Sequence, residues 1–452
     1  MAEINKEVLE RLVSCKASTI SASCDSSEFL IALAADLIDP TNKKFSVPNA
    51  AALPNLYGAP LGKGTMIYVE SLGIHLIAMG EQWCTLDGRV YRNDGPSRTV
   101  WVWGSGTSLG DNTVVAKSSP VSVVGGFTDW CQVSAGLTHT LGVRINGTAW
   151  SWGSGAVGRL GDNTTVSKSS PVSVVGGFTD WCQVSAGSHH SAGLRENGTA
   201  WLWGCNNTGQ VGDGTITTRS SPVSVVGGFT DWCQISVRNN NTSAIRNNGT
   251  IWTWGRNDVG QLGDNTIVNK SSPVSVVGGF TDWVYTETGG NATFGLRSNG
   301  TLWAWGYNYC GLLGNNNTAN TSSPVSVVGG FTDWCGVSIS QAHTLAIRTN
   351  GTLWTWGLNG DGQLGTNTTV ASSSPVSVVG GFTDWCQSSA GNFHNLAVRT
   401  NGTAWAWGWN YNGILGDNTT VAKSSPVSVV GGFTDWCQVS AGNSNSSAIR
   451  VA

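Results

Sequence analysis

Four histidines, His139, His190, His343 and His394, recur at one place in a sequence that repeats every 51 residues. Imidazoles at fixed spacing could serve as metal ligands or general bases. The same place holds Asn241, Ala292 and Asn445 in the remaining units, so no imidazole ring is complete. A structural hydrogen bond at the start of a strand is the better reading. A second set is acidic: Asp111, Asp162, Asp213, Asp264 and Asp417 occupy equivalent loops. Calcium wants about six to eight oxygen ligands, and one carboxylate per loop supplies too few. An Asx-turn that closes each loop accounts for them instead. The chain shows no nucleophile–base pairing, no phosphate loop and no zinc spacing. No catalytic residue, metal or cofactor is therefore expected.

Cysteine is the third candidate. Of 11 Cys, six (Cys131, Cys182, Cys233, Cys335, Cys386 and Cys437) share one repeat position. Equivalent positions on neighbouring units should lie beyond the roughly 7 Å that a disulfide can span. They are expected to be small buried hydrophobes, whereas Cys205 and Cys310, in variable loops, should be exposed. Free thiols and a polar, acidic N-terminus point to synthesis in a reducing cytoplasm without a secretory leader. No apolar run is long enough to cross a bilayer. The net charge of −3 gives no sign of a nucleic-acid partner or an anionic membrane surface.

The elements that position these residues follow from the repeat. Ser-Ser-Pro-Val-Ser-Val-Val-Gly-Gly-Phe-Thr-Asp-Trp occurs seven times unchanged, starting at Ser118, Ser169, Ser220, Ser271, Ser322, Ser373 and Ser424. A Trp-x-Trp-Gly accompanies each copy, from Trp101/Trp103 to Trp405/Trp407. Such a period marks a repeat architecture. Within one period, residues 131–135, 139–144, 148–152 and 171–175 are predicted strands, named a to d. Asn146-Gly147 is a two-residue hairpin signal between b and c. Pro171 suits an outermost strand. Four short strands in each of seven units predict an all-β chain, a seven-bladed β-propeller. The first unit begins with strand c near Thr99, and the chain stops just after a strand b. One blade is therefore expected to combine strands c and d near 99–124 with a and b near 437–450, which leaves no open sheet edge.

Residues 1–97 differ in composition and are expected to form a small mixed N-terminal domain before the propeller at 98–452. Helical spacing covers 4–13, a capped helix could run from 26 to 37, and 39–64 is a Pro-rich linker. Two small hairpins are predicted over 66–69 with 75–77, and 82–84 with 89–91.

The repeat resembles the regulator of chromosome condensation family of seven-bladed propellers. The residues that carry the likeness are Val133-Ser134-Ala135-Gly136-x-x-His139-Thr140-Leu141, Asn146-Gly147-Thr148, Trp152-Gly153 and Gly158-x-Leu160-Gly161. Family members include a nucleotide exchange factor, a light sensor and enzyme inhibitors, so the resemblance implies a fold more than a function. The exchange factor's basic extension and wedge have no counterpart here. The light sensor's Gly-Trp-Arg-His-Thr motif is also missing, so the Trp pairs are expected to pack the blades. Near-identical repeats behind a short N-terminal domain also resemble structural proteins of tailed bacteriophages.

Differences among the seven copies locate the expected function. The a–b and c–d loops vary, while the b–c turn and the d–a loop hardly change. Alternating strand direction puts the two variable sets on one face and the constant sets on the other. Loops on a rigid scaffold are where binding resides. His139, His190, Asn241, Arg256, Tyr307, Tyr309, Phe393, His394, Trp409 and Tyr411 are the candidate binding residues, unless each ring simply folds over its own loop. The leading expectation is a non-enzymatic virion protein, a tail fibre or decoration, assembled in the host cytoplasm. Residues 1–97 would hold it to other virion proteins, on the constant face, and the variable face would meet a host surface protein or glycan. Self-association into a homo-oligomer is compatible with this. A cytoplasmic protein-binding regulator or inhibitor is the alternative, followed by a purely structural spacer.

Overall fold

The computed structural model describes residues 97–106 and 109–451, and the backbone of four earlier strands, 66–69, 74–78, 83–85 and 90–91. The chain divides into two compact units, Met1–Gly95 and Pro96–Ala452. In the first unit, Met66–Val69, Ile74–Ala78, Trp83–Thr85 and Val90–Tyr91 pair in sequence order as one antiparallel four-stranded sheet. The two predicted hairpins are thus joined through their middle strands. The predicted helices and linker lie outside the described residues, as does the predicted attachment of residues 1–97 to the constant face.

The second unit holds seven four-stranded antiparallel sheets, each ordered a-b-c-d. We number the blades by their first strands: Trp130–Ala135, Trp181–Ala186, Trp232–Val237, Trp283–Thr288, Trp334–Ile339, Trp385–Ala390 and Trp436–Ala441. In blade 7, Asn445–Val451 pairs with Arg98–Gly104 through seven partners, from Asn445↔Gly104 to Val451↔Arg98. The two ends of the propeller thereby close the ring as expected.

Two local expectations are corrected. Strand d of blade 1 runs Lys168–Ser173, not 171–175, and its register to strand c slips between Lys168 and Val172. Pro171 has no N–H to give, so the ladder bulges around it, which an outer edge strand tolerates. The b–c connection is a three-residue loop rather than a two-residue turn. Gly147 N–H donates to Arg144 O (2.9 Å) and Arg144 N–H to Thr148 O (3.0 Å). Gly147 has φ of +73° while Asn146 is not left-handed, which fits a type I turn with a glycine bulge. The Asn146 side chain instead accepts from the backbone N–H of Thr148.

The core lies between blades. Trp103, Trp152, Trp203, Trp254, Trp305, Trp356 and Trp407, the second Trp of each pair, are fully buried. Each meets strand a's first Trp edge-on or tilted, as Trp203 meets Trp181 at 6.1 Å. Its outer edge presses on the Leu-Gly of the preceding blade's c–d loop: a Cβ on Gly161 would stand 2.7 Å from Trp203 Nε1. The Trp pairs pack the blades, as the sequence predicts.

Candidate partner-binding face

The constant face uses up its own functional groups. Arg144, at the end of strand b, lies over the Phe127 ring at 4.2 Å and donates from Nε to Asp129 Oδ1 at 2.7 Å. The same Arg-Phe-Asp set recurs in the other blades, for example at Arg195, Phe178 and Asp180. Gly147 O accepts from Trp181 N–H of the next blade, and a Cβ on Gly147 would collide with Thr179 O. Invariance here is explained by packing from blade to blade.

Inside the ring, strand a of each blade is stitched to the next. Gln132 Oε1 accepts from Val184 N–H (2.8 Å) and Ser134 Oγ from Ala186 N–H (2.9 Å), with equivalents around the axis. Blades 4 and 5 depart from this pattern, with Tyr285 and Gly336 where the other blades have Gln. Glu287 replaces the Ser, accepting from Ile339 N–H (3.2 Å) and from the Tyr285 hydroxyl (2.7 Å). Burial pushes its carboxyl above the usual range, against those donors and Arg238.

The candidate histidines belong to a second stitch. His139 Nε2 lies 2.9 Å from Ser191 Oγ of the next blade, His190 Nε2 3.1 Å from Thr242 Oγ1, and His394 Nε2 2.9 Å from Ser446 Oγ. Each of these hydroxyls donates onward to a carbonyl, as Ser191 does to Arg159 O at 2.8 Å. The imidazole must therefore be the donor, which assigns the Nε2–H tautomer. His343 donates likewise to Asn395 Oδ1 (2.7 Å), and the amides of Asn241 and Asn445 replace imidazole in blades 3 and 7. Only Ala292 interrupts the circle. Burial depresses the imidazoles, to about 3 for His190 and His394 and about 4 for His343. His139, His190, Asn241 and His394 are buried and withdrawn from the face. Their assignment as surface contacts is corrected, because an apolar, close-packed seam leaves them neutral and turned inward.

The acidic loop residues close Asx-turns. Thr113 N–H and Oγ1–H both donate to Asp111 Oδ1, and Lys117 Nζ lies 3.8 Å from Oδ2. Among the described residues, no three His, Cys, Asp or Glu side chains are grouped as metal ligands. Cysteines 131, 182, 233, 335, 386 and 437 form no disulfide, and each thiol donates to a carbonyl of strand b, as Cys131 does to Val143 O at 3.3 Å. The expectation of burial holds fully for Cys335 alone, the other five being half-buried, and burial pushes Cys233 and Cys335 up to about 12. Cys205 corrects the expectation of exposure: it is buried beneath its loop, while Cys310 is half-buried.

What reaches solvent on the variable face is carried by a rigid c–d loop. Asn308 is fully buried; its Oδ1 accepts from Leu313 N–H (2.9 Å) and its Nδ2 donates to Asn317 O and Ala319 O. Asn206, Asn257, Asn359 and Asn410 repeat this anchor. The residues on either side of the anchor project outward. Tyr307 and Tyr309 stack at 6.1 Å and 15°, and Trp409 and Tyr411 at 5.5 Å and 29°, with Phe393 edge-on to Trp409 at 6.0 Å. Tyr309 is 57% exposed, Tyr411 64% and Phe393 36%, whereas Tyr307 and Trp409 are half-buried against Tyr309 and Tyr411 of their own loops. Arg256 is held by Asp258 in its own loop.

Two charged residues were missed. Arg238 stands where five other units have Gly, and its Nη2 reaches across the ring to Ala390 O at 2.9 Å. Comparison of the copies would have singled it out. Asp361, exposed in blade 5, has a carboxylate with no hydrogen bond or ion pair among the described residues.

The RCC1-like domain family matches residues 99–448, and the chain belongs to that family. It is 28% identical over 302 residues to the ultraviolet-B receptor UVR8 of Arabidopsis thaliana, spanning 65% of this chain and 68% of that protein. It is also 28% identical to the human E3 ubiquitin-protein ligase HERC2 over 255 residues, 55% of this chain but 5% of the ligase. Among solved structures, Prp20p of Saccharomyces cerevisiae superposes with a TM-score of 0.72 at 20% identity, covering 79% of this chain and 92% of that one. Human WBSCR16 gives 0.71 at 18%, covering 79% and 99%. These structures share the fold.

Proposed function

We propose that this chain is a non-enzymatic, protein-binding propeller that grips a partner across its diversified face, in the manner of a regulator. One observation carries this: exposed aromatic side chains stand on rigid loops of the variable face, while the polar groups of the other face are spent on blade packing. Exposed Tyr and Trp on a preorganised scaffold are typical anchors of protein contacts. Kinship to a protein named as a receptor supports a binding role. Ligase activity is not carried over from HERC2, of which this chain spans 5%. The cytoplasm is the proposed compartment.

A virion setting, with residues 1–97 docked on other particle proteins and the variable face turned to a host, is a second reading. It is favoured by seven copies of a 13-residue segment without one change. The finding of this chain by mass spectrometry in purified particles would support it.

The binding face is tested by affinity purification from the producing cell. The triple variant Tyr309→Ser/Phe393→Ser/Tyr411→Ser should lose partners that the wild type retains. The constant-face variant Glu196→Gln should keep them. Equal recovery by all three proteins would overturn the reading.

A further inference from the structure

Blade 6 brings three aromatic side chains from two of its own loops into contact. Phe393 lies in the a–b loop, the only Phe, Tyr or Trp in any of the seven a–b loops, and Trp409 and Tyr411 lie in the c–d loop. Trp409 N–H donates to Phe393 O at 2.9 Å, which ties the two loops together. The Phe393 ring meets the indole at 6.0 Å and 63°, and the indole stacks on Tyr411 at 5.5 Å and 29°. Between the two c–d rings, buried Asn410 fixes the loop through Leu415 N–H, Thr419 O and Val421 O. The three rings form one continuous apolar platform on a rigid base.

The polar groups around the platform are the second observation. The other two indoles of the c strand are spent inside the fold: Trp405 Nε1–H donates to Thr403 Oγ1 (3.1 Å) and Trp407 Nε1–H to Gln363 O (3.0 Å). Trp409 Nε1 has no hydrogen-bond partner among the described residues, and it is not sealed from solvent as Trp152, Trp254 and Trp305 Nε1 are. The charges of residues 385–428 are all accounted for. Arg399 pairs with Asp384, Lys423 with Asp417, and burial keeps His394 neutral. The platform thus offers apolar rings and an unused N–H donor, without an open charge.

A segment complementary to it brings apolar rings and unbonded carbonyl oxygens. Proline-rich polypeptide has both: polyproline II makes no internal hydrogen bonds, and proline has no N–H of its own to satisfy. Such segments dock on aromatic-lined surfaces, whereas a charged segment would find no counterion here. We infer that the blade 6 platform receives a proline-rich segment of a partner protein, its proline rings against Phe393 and Tyr411 and a backbone carbonyl accepting from Trp409 Nε1–H. This rests on the reading that the variable face binds protein, and it names the class of segment. With no ion pair to screen, binding should change little with salt.

The test uses the full chain and a fluorescein-labelled (Ala-Pro-Pro)4 peptide followed by anisotropy, with labelled (Gly-Ser)6 as the flexible control and chitohexaose as competitor. Phe393→Ser and Tyr411→Ser should each weaken the proline peptide about tenfold, and Trp409→Phe, which keeps a ring but removes the donor, about fivefold. Glu196→Gln on the constant face should leave it unchanged. Circular dichroism of each variant should match the wild type. Failure of the wild type to bind the proline peptide, equal binding of (Gly-Ser)6, or equal binding by Tyr411→Ser would overturn the assignment. Displacement by chitohexaose would give the platform to a glycan and overturn it as well. If the proline peptide failed while Tyr309→Ser/Phe393→Ser/Tyr411→Ser still lost partners from the producing cell, the face would stand as a protein-binding surface and its preference for proline would not.

Discussion

The indole of Trp203 occupies the space that a Cβ on Gly161 would need, 2.7 Å from its Nε1, and Gly161 sits at φ +69°. A left-handed backbone and a tryptophan from the next blade thus both demand glycine. Gly161→Ala should cost roughly 2–4 kcal/mol through strain and overpacking. A chemical denaturation midpoint equal to that of the wild type would refute this account of the seam.

The buried histidines make stability depend on pH. In the unfolded chain each takes up a proton near 6.5, whereas His190, His343 and His394 do so only at about 3 to 4 in the native protein. Native pKa values below the unfolded ones mean that the unfolded state binds more protons in between. Stability is therefore full above about pH 6.5 and falls as pH drops towards 4, by about 1.4 kcal/mol per unit for each histidine. The combined variant His190→Asn/His343→Asn/His394→Asn, which copies the residue of blades 3 and 7, should flatten the melting temperature between pH 7 and 5. An unchanged slope would exclude the histidines as its source.

Thiol reactivity should follow burial. Native alkylation read by mass spectrometry should label half-buried Cys310 before buried Cys335 and Cys205. Rapid labelling of Cys205 would contradict its place beneath the blade 2 loop.

Closure depends on strands a and b of blade 7. Removing residues 436–452 strips Arg98–Gly104 of its partner strand and opens the ring. Exposed sheet edges promote aggregation, so soluble monomer should be lost. A truncated monomer with an unaltered melting temperature would refute the need for closure.

Much of this was legible because the chain carries seven experiments on itself. Position-by-position comparison located the blades, the closing strands and the two faces. It failed where burial, not variability, decides a role. His139 and Tyr309 both lie at positions that vary among the copies, yet one donates to Ser191 in a sealed seam and the other stands in solvent. Cys205 follows the second Trp of its pair in a variable loop, but the chain turns it inward. The bulge around Pro171 and the Gly147 turn depend on backbone hydrogen bonds that residue types alone do not report. Asp361 has no like counterpart to set it beside, since the same place reads Val157, Thr208, Val259, Cys310 and Asn412 in other blades.

The central claim, that one face alone meets the partner, is tested most directly by site-specific photocrosslinking in the producing cell. A photoreactive residue is placed at Tyr309 or Tyr411 on the variable face, and at exposed Ile145 or Glu196 in the b–c turns of the constant face. Discrete protein adducts from Tyr309 and Tyr411, and none from Ile145 and Glu196, are predicted. Adducts from Ile145 and Glu196 with none from the tyrosine positions would contradict it.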